Sequence, residues 1–517
     1  MALSQEEKII NVPPLDFTPD PRGIGCVLFD SMLKYQNKVA QIDGLTGEKD
    51  LYRNVLQRSV RVAIALQKRG IVRADVISIC SYNHLDTITP VLAALFLGAS
   101  VCGIDECLRA EDAANSLIKI KPKIVFVQNE TVTMIENALD TISHNAEIVV
   151  FEGSHKHTPF SEFLKPSVDE EIFLPVPVKT LTDTAMIFFT SGSTGVPKPI
   201  CHNHISMLYQ TANLINCNYD WTVALEYTSP YWTVFASFFT VTTMLGKTRL
   251  IYRDVTEALI LCKLGRPKNL SLDNVKYLII GGNYLTESQL KMVKELFWEA
   301  HVLFGYAQSE VPGSLLMFKP AFENELKLMQ AKITSVGTGV AGISYKIVDE
   351  VTEKTVGPGK KGELRIKTVF PLGLLYKMDS SDLVDSNGWL KTGDLACYDK
   401  DKCFYIVGRI KDMFKYRSYR IIPSTIQTVL LSHRAVDEAI VIGIPHETDS
   451  EHPMGVVILK HDCKNVSAKE IEKYVEEKVH DSHRLRAGVK ILDELVKTAT
   501  GKVRKNVIRD LIIQGKL

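Results

Sequence analysis

Ala185-Met186-Ile187-Phe188-Phe189 runs directly into Thr190-Ser191-Gly192-Ser193-Thr194-Gly195-Val196-Pro197-Lys198. The first five residues read as a buried strand. The next nine hold four hydroxyls, two glycines and a lysine. Successive backbone N–H groups and hydroxyls can wrap an anion, and glycine lets the backbone come close to it. Lys198 adds a full positive charge. The loop is suited to phosphate and points to a nucleotide-using enzyme. It is not a Walker A loop, because Lys198 follows Val-Pro and is followed by Pro199 rather than by Ser or Thr at the head of a helix. Taken alone, the nonapeptide also fits a plain flexible Ser/Gly loop.

Outward from this strand the chain alternates apolar strand-like runs with amphipathic helix-like runs, the mark of α/β architecture. Val76–Cys80, Lys123–Val127 and Glu147–Phe151 read as strands. So does Val275–Ile280, which ends in Gly281-Gly282-Asn283. Ligands of such sheets collect at the carboxyl ends of strands, where both this glycine pair and the opening loop stand. Thr87 to Ile104 is apolar enough to mimic a membrane span. It reads instead as a buried helix running into a buried strand. From Gly337 to Lys367 short alternating strands suggest a small all-β unit. The expected fold is α/β: a large N-terminal region of sheets layered with helices, carrying that β unit, followed by a small mobile α+β domain. The boundary is placed between 1–408 and 409–517. In the small domain Ser424–Leu431 and Lys469–Lys478 read as helices, and Glu438–Gly443 as a strand.

Size and composition bound the function. A chain of 517 residues exceeds one compact core. Its 61 basic residues balance 60 acidic ones, which gives no support for a nucleic-acid partner. The ten cysteines form no Cys-x-x-Cys pair, so neither a zinc framework nor a disulfide framework is indicated, and reduced thiols in an intracellular compartment are expected. The N-terminus resembles neither a secretory signal nor a transit peptide, and no transmembrane segment is expected. Gly515-Lys516-Leu517 resembles a weakened Ser-Lys-Leu peroxisomal address, so the compartment is either peroxisomal or cytoplasmic.

Further motifs follow in fixed order: Gly305-Tyr306-Ala307-Gln308-Ser309-Glu310, Thr392-Gly393-Asp394, Gly408-Arg409-Ile410-Lys411-Asp412 and Thr498-Ala499-Thr500-Gly501-Lys502. Together with the opening loop they resemble the adenylate-forming superfamily, which comprises acyl-CoA synthetases, 4-coumarate-CoA ligases, peptide-synthetase adenylation domains and beetle luciferases. The synthetase and luciferase branch is nearest. The resemblance implies ATP-dependent activation of a small carboxylic acid, with Mg2+ bridging phosphates and coenzyme A as acceptor. Two anions must meet, so cations and N–H donors are needed to offset the charge that develops.

By resemblance, Thr190, Ser191, Gly192, Ser193, Thr194, Gly195 and Lys198 hold the leaving phosphates. Glu310 binds the metal and Ser309 contacts a phosphate. Tyr306, with Gly305 and Ala307, lies against the adenine, and Gly281, Gly282 and Asn283 line its other side. Asp394 accepts from the ribose hydroxyls, Arg409 reaches the ribose or the adenylate, and Lys411 or its neighbours form the hinge. Lys502 reaches the reacting carboxylate during adenylation, and Lys415 helps to form the thiolation face after the small domain rotates. The plainer alternatives are a core tyrosine for Tyr306, an Asx turn for Asp394, a solvated carboxylate for Glu310 and a surface lysine for Lys502.

The chain departs from the family pattern at several positions. Pro199 replaces the usual glycine after the loop lysine, which removes an N–H. Ser418 stands where glycine is usual; if that backbone needs positive φ, serine is strained there. Thr425 and Val496 replace a common glutamate and a common proline. Trp232 and Thr233 stand near the place of a missing histidine. Trp232, Phe235, Phe238 and Phe239 fit either an apolar acyl pocket or ordinary helix-core packing. His202 and His204 lack an evident third ligand, so they are read as core histidines. The adenylation apparatus is expected to be intact, with luciferase-like use of the adenylate, or a non-catalytic nucleotide- or acyl-binding role, as the competing readings. The acid's identity and the oligomeric state are not legible.

Overall fold

The computed structural model describes residues 4–153, 156–190, 197–252, 262, 271–282, 285–497 and 503–517. Its centre is an eight-stranded sheet in which Thr184–Phe189, Ser100–Gly103, Val76–Cys80, Ile124–Val127, Glu147–Val150 and Thr158–Pro159 run parallel, in that order. The strands Ser100–Gly103, Val76–Cys80 and Ile124–Val127 are buried along their whole length, which explains their largely apolar sequence, broken only by the buried Ser78 and Ser100. On the other side of Thr184–Phe189, Pro199–Asn203 and then Leu374–Leu375 add antiparallel strands. The nine-residue loop therefore joins two antiparallel neighbours, and Pro199 sits opposite Phe189.

The apolar stretch around residue 90 folds as expected. The helix Ile88–Phe96 is buried on all sides and leads into the strand Ser100–Gly103. No helix among the described residues is long and apolar enough to cross a membrane. The helix Ala110–Ile120 has Glu111 and Asp112 in its first turn and Lys119 in its last, in line with its dipole. The helix Thr233–Leu245 buries Phe235 and Phe239 completely in the main core, so these two serve helix packing. Replacing either by alanine is expected to cost about 3–5 kcal/mol.

The β unit is larger than its sequence suggests. Ile343–Val348, Gly362–Thr368, Leu390–Tyr398 and Phe404–Arg409 form an antiparallel sheet, which also recruits Ile10–Asn11 from the N-terminus and Thr355–Val356. The unit expected over Gly337–Lys367 extends to Arg409, since Leu390–Tyr398 and Phe404–Arg409 join it from beyond a long irregular stretch.

The C-terminal domain is built on the hairpin Val436–His446 and Ser450–Leu459, with Phe414–Tyr416, Tyr419–Ile421 and a parallel strand Val489–Leu492. Strand alternation divides its core. Ala439, Val441 and Val457 face the helices Pro423–Leu431 and Ala468–Glu476, while Ile440, Ile442 and Val456 face the helix Lys505–Ile513. Leu517 packs partly against that second cluster. The doubt over Ser418 resolves here. The positive φ of the Phe414–Ile421 hairpin falls on Arg417, at 51°, and not on Ser418.

Candidate active site

The phosphate-loop candidates begin at a closed base. The Thr190 N–H donates to the Lys198 carbonyl at 2.9 Å, and the Lys198 N–H donates to Thr190 Oγ1 at 3.2 Å. Lys198 itself is exposed. Ser191, Gly192, Ser193, Thr194 and Gly195 lie outside the described residues. Lys119, which the sequence did not single out, donates from Nζ to the Pro197 carbonyl at 2.5 Å. Burial and then the Lys198 charge hold its ammonium below the usual lysine range. Two cations thus stand at the base of the loop.

The strand that leaves the loop also grips the Ser309-Glu310 turn. His202, fully buried, donates from Nε2 to the Ser309 carbonyl at 2.6 Å. Burial pushes its pKa down to about 4, so the ring is neutral and holds its proton on Nε2. The Gly373 N–H donates to the Glu310 carbonyl at 2.7 Å. Gly373 must be glycine. A Cβ there would stand 2.7 Å from Ile200 Cγ2, 2.9 Å from the Glu310 carbonyl oxygen and 3.1 Å from that of Cys201. Neither contact was legible in sequence.

Glu310 is held in a desolvated place. Burial raises its carboxyl pKa, against the opposing pull of its own N–H and of the Arg409 charge. Among the described residues no cation pairs with it within 4 Å, which leaves its oxygens open to a hard divalent cation.

Asp394 is the convergence point. Its carboxylate is 4% exposed, accepts from the Tyr306 hydroxyl at 2.5 Å and from Gln308 Nε2 at 2.9 Å, and pairs with Arg409 Nε at 2.9 Å. Gln308 Nε2 also donates to the Thr392 carbonyl at 2.8 Å. Asp394 lies within the strand Leu390–Tyr398, directly opposite Arg409, so it is not the residue of a free Asx turn. Gly393 before it takes φ 66°, and the Asp394 N–H bonds back to Thr392 Oγ1. Burial and the Asp394 charge raise the Tyr306 hydroxyl well above the ordinary phenol value, so it stays a donor. Sequence reading missed Gln308, which follows directly on the short strand Tyr306–Ala307.

Gly281, Gly282 and Gly305 stand at the ends of two paired strands. The strands Tyr277–Ile280 and His301–Phe304 are parallel partners, and the Gly305 N–H donates to the Ile280 carbonyl at 2.9 Å. Gly281 and Gly282 therefore emerge beside Gly305 and the short strand Tyr306–Ala307, whose Ala307 is exposed. Asn283 lies outside the described residues, as does Lys502. The flanks of the Lys502 segment are paired, Lys497 with Val503 as a β-bridge. Lys415 is exposed on the strand Phe414–Tyr416, opposite Arg420. His204 is buried and accepts the Ile24 N–H at 3.3 Å.

Known proteins resemble this chain in sequence and in fold. The sequence is 27% identical to luciferin 4-monooxygenase of Photuris pensylvanica over 99% of both chains. It is 23% identical to peroxisomal OPC-8:0-CoA ligase 1 of Arabidopsis thaliana, over 98% of this chain and 96% of that one. The solved luciferase-like enzyme of the nonluminescent mealworm Zophobas morio is 35% identical, with a TM-score of 0.73, over 78% of this chain and 100% of that one. AMP-binding enzymes match residues 28–264 and 257–371, and their C-terminal domain matches 425–502. Matched by these family models over most of its length, the chain belongs to the AMP-binding, adenylate-forming enzymes.

Proposed function

We propose that the chain activates a carboxylic acid with ATP and passes the acyl group to coenzyme A. In the first step a carboxylate oxygen attacks the α-phosphorus, and the bond to the β-phosphate breaks to release pyrophosphate. In the second the thiol sulfur attacks the acyl carbonyl, the mixed-anhydride C–O bond breaks, AMP leaves and the thiol proton passes to solvent. The observation that carries this reading is the buried Asp394 carboxylate, fixed by Tyr306 and Gln308 and backed by an exposed arginine. A fixed, ionised acceptor of that kind suits paired ribose hydroxyls.

Thr190, Lys198 and the residues between them would hold the β- and γ-phosphates. Mg2+, when bound at Glu310, would neutralise phosphate charge and polarise the α-phosphate. Tyr306 and the Gly281–Gly282 turn would flank the adenine. Lys502 would serve the reacting oxygens, and the small domain, 409–517, would then turn about the Arg409–Asp412 segment against 1–408 and present Lys415 to the thiol. No protein nucleophile is required, so the ten cysteines have no catalytic part. A fatty or arylalkanoic acid suits the apolar surroundings of Trp232 and Phe238, which are half-buried rather than core. A peroxisomal compartment would suit such a substrate and rests on the peroxisomal relative.

Acid-dependent ATP–pyrophosphate exchange, followed by CoA-dependent AMP release over a panel of carboxylic acids, tests the reading. No exchange with any acid would overturn it. The 27% identity to luciferin 4-monooxygenase favours one second reading, oxidation of the adenylate by oxygen. Oxygen uptake or light with a luciferin, without CoA-dependent AMP release, would establish that instead.

A further inference from the structure

The hairpin of the C-terminal domain carries a side-chain cluster to which the proposed reaction assigns no role. In its register His446 faces Ser450 and Ile444 faces His452. Cross-strand partners share a face, and so do residues two apart, so His446 and His452 are diagonal neighbours on one face. Their rings stack with centroids 3.8 Å apart and planes at 17°. Asp449, in the turn between the strands, directs its carboxylate to the same point. Its Oδ2 is 2.9 Å from His452 Nε2 and 3.9 Å from His446 Nδ1. The three donor atoms lie within 4.8 Å of one another, and among the described residues no other group of three His, Cys, Asp or Glu side chains converges in this way.

The cluster is held from outside. Arg417 pairs through Nε with the other carboxylate oxygen, Asp449 Oδ1, at 2.9 Å, and its N–H donates to the Asp449 carbonyl at 2.8 Å. Tyr416 meets the His452 ring edge-on at 5.6 Å between centroids. Asp449 and His452 are about one-sixth exposed, at 16% and 17%, whereas His446 is 42% exposed, so the cluster opens to solvent on one side. Two imidazole nitrogens and one carboxylate oxygen are the donor set of a first-row transition ion; Mg2+ and Ca2+ take oxygen ligands. Ligands about 2.0–2.2 Å from a common ion stand roughly 3–3.5 Å apart, so the exposed His446 ring would rotate out of its stack on His452 to aim Nδ1 at the same ion.

We propose that His446, Asp449 and His452 form a binding site for a Zn2+-class ion, with water completing the coordination. Arg417 then acts as the outer partner that orients the ligating carboxylate. The ion would tie the tip of the long hairpin to the Phe414–Ile421 hairpin through Asp449. Such a site is separate from the Mg2+ expected at Glu310, both in place and in ligand chemistry.

Titration of the full, chelator-stripped chain with Zn2+ or Co2+ alone tests it. The expected result is one ion per chain at this cluster, cobalt d–d absorption without a thiolate charge-transfer band, and a rise in melting temperature with metal. H446A alters an exposed side chain and should keep the fold. It and H452A should each weaken binding at least ten-fold and remove the thermal shift. Binding unchanged in H446A, a cobalt spectrum showing thiolate ligands from the free cysteines, or no binding at all would each overturn the proposal. In those cases the cluster is only a hydrogen-bonded hairpin tip.

Discussion

Asp394 and Arg409 face each other across the last two strands of the β unit, with Nε 2.9 Å from Oδ1. The aspartate side chain is 5% exposed and the arginine 51%, so one partner is fixed and the other is free to swing. Tyr306 and Gln308 hold the aspartate from the opposite side, on a segment some 88 residues away. Arg409 is therefore the member of the group that a ribose can displace or join without breaking the core. In Asp394→Asn the shape is kept, but the charge and one acceptor are lost. ATP–pyrophosphate exchange should show a 10- to 100-fold higher KM for ATP, from the loss of roughly 1.5–3 kcal/mol of charge-assisted hydrogen bonding. Arg409→Ala should cost less than Asp394→Asn in the same assay, because Asp394 loses one bond to an exposed partner but keeps its charge and its bonds from Tyr306 and Gln308.

Lys119 acts on the loop through the Pro197 carbonyl, and its charge adds to that of Lys198. Lys119→Met keeps the aliphatic stem and removes both effects. Its KM for ATP is expected to rise roughly ten-fold, equivalent to ~1.4 kcal/mol, with a small change in kcat. Lys119→Arg should recover most of that loss. An unchanged KM in Lys119→Met would show that the contact only packs the helix end.

The buried histidines set an acid limit to stability. His202 is pushed from 6.5 down to about 4, and burial does the same to His84 and His204. Above pH 6.5 both the folded and the unfolded chain hold these rings neutral, and the stability is fully present. As pH falls from 6.5 towards 4, the unfolded chain takes up protons that the folded chain refuses. Each ring then costs about 1.4 kcal/mol per pH unit until the folded state also protonates. His202→Gln keeps a donor for the Ser309 carbonyl and removes one such proton. Urea midpoints between pH 6.5 and 4 should fall less steeply in this variant than in the parent chain. Parallel slopes would show that His202 already titrates while folded.

What the sequence disclosed follows from range. The strands Val76–Cys80, Ile124–Val127 and Thr184–Phe189 were legible because burial on both faces leaves continuous apolar runs. Gly281 and Gly305 were legible because strand ends need glycine where two backbones emerge together. The partners of Asp394, the grip of His202 on Ser309 and the staple from Lys119 were not. Each links residues roughly 80 to 110 positions apart, and no local period marks such a pair. Pairing across the β unit hid its size in the same way, since Ile10–Asn11 joins Ile343–Val348 from the far end of the chain. Trp232, Phe235, Phe238 and Phe239 looked alike in sequence. Depth alone separates the core pair, Phe235 and Phe239, from the two half-buried rings.

On the proposed reaction the two half-reactions would make different demands on the small domain, and Lys502 and Lys415 would separate them. Lys502 follows Gly501 in a segment whose flanks, Lys497 and Val503, are bridged, while Lys415 stands exposed on a different strand. If Lys502 stabilises charge only at the α-phosphate and the attacking carboxylate, Lys502→Ala should slow adenylation about 10²–10³-fold, the range for loss of one such contact. Thioester formation from a supplied acyl-adenylate should change much less, because that step begins after the lysine has withdrawn. Lys415→Ala should show the opposite pattern, with exchange retained and CoA-dependent release of AMP reduced. Single-turnover measurement of both steps in both variants distinguishes a rotating domain from a fixed one. In a fixed domain either lysine would serve a single composite site, and each variant would lose the two half-reactions together.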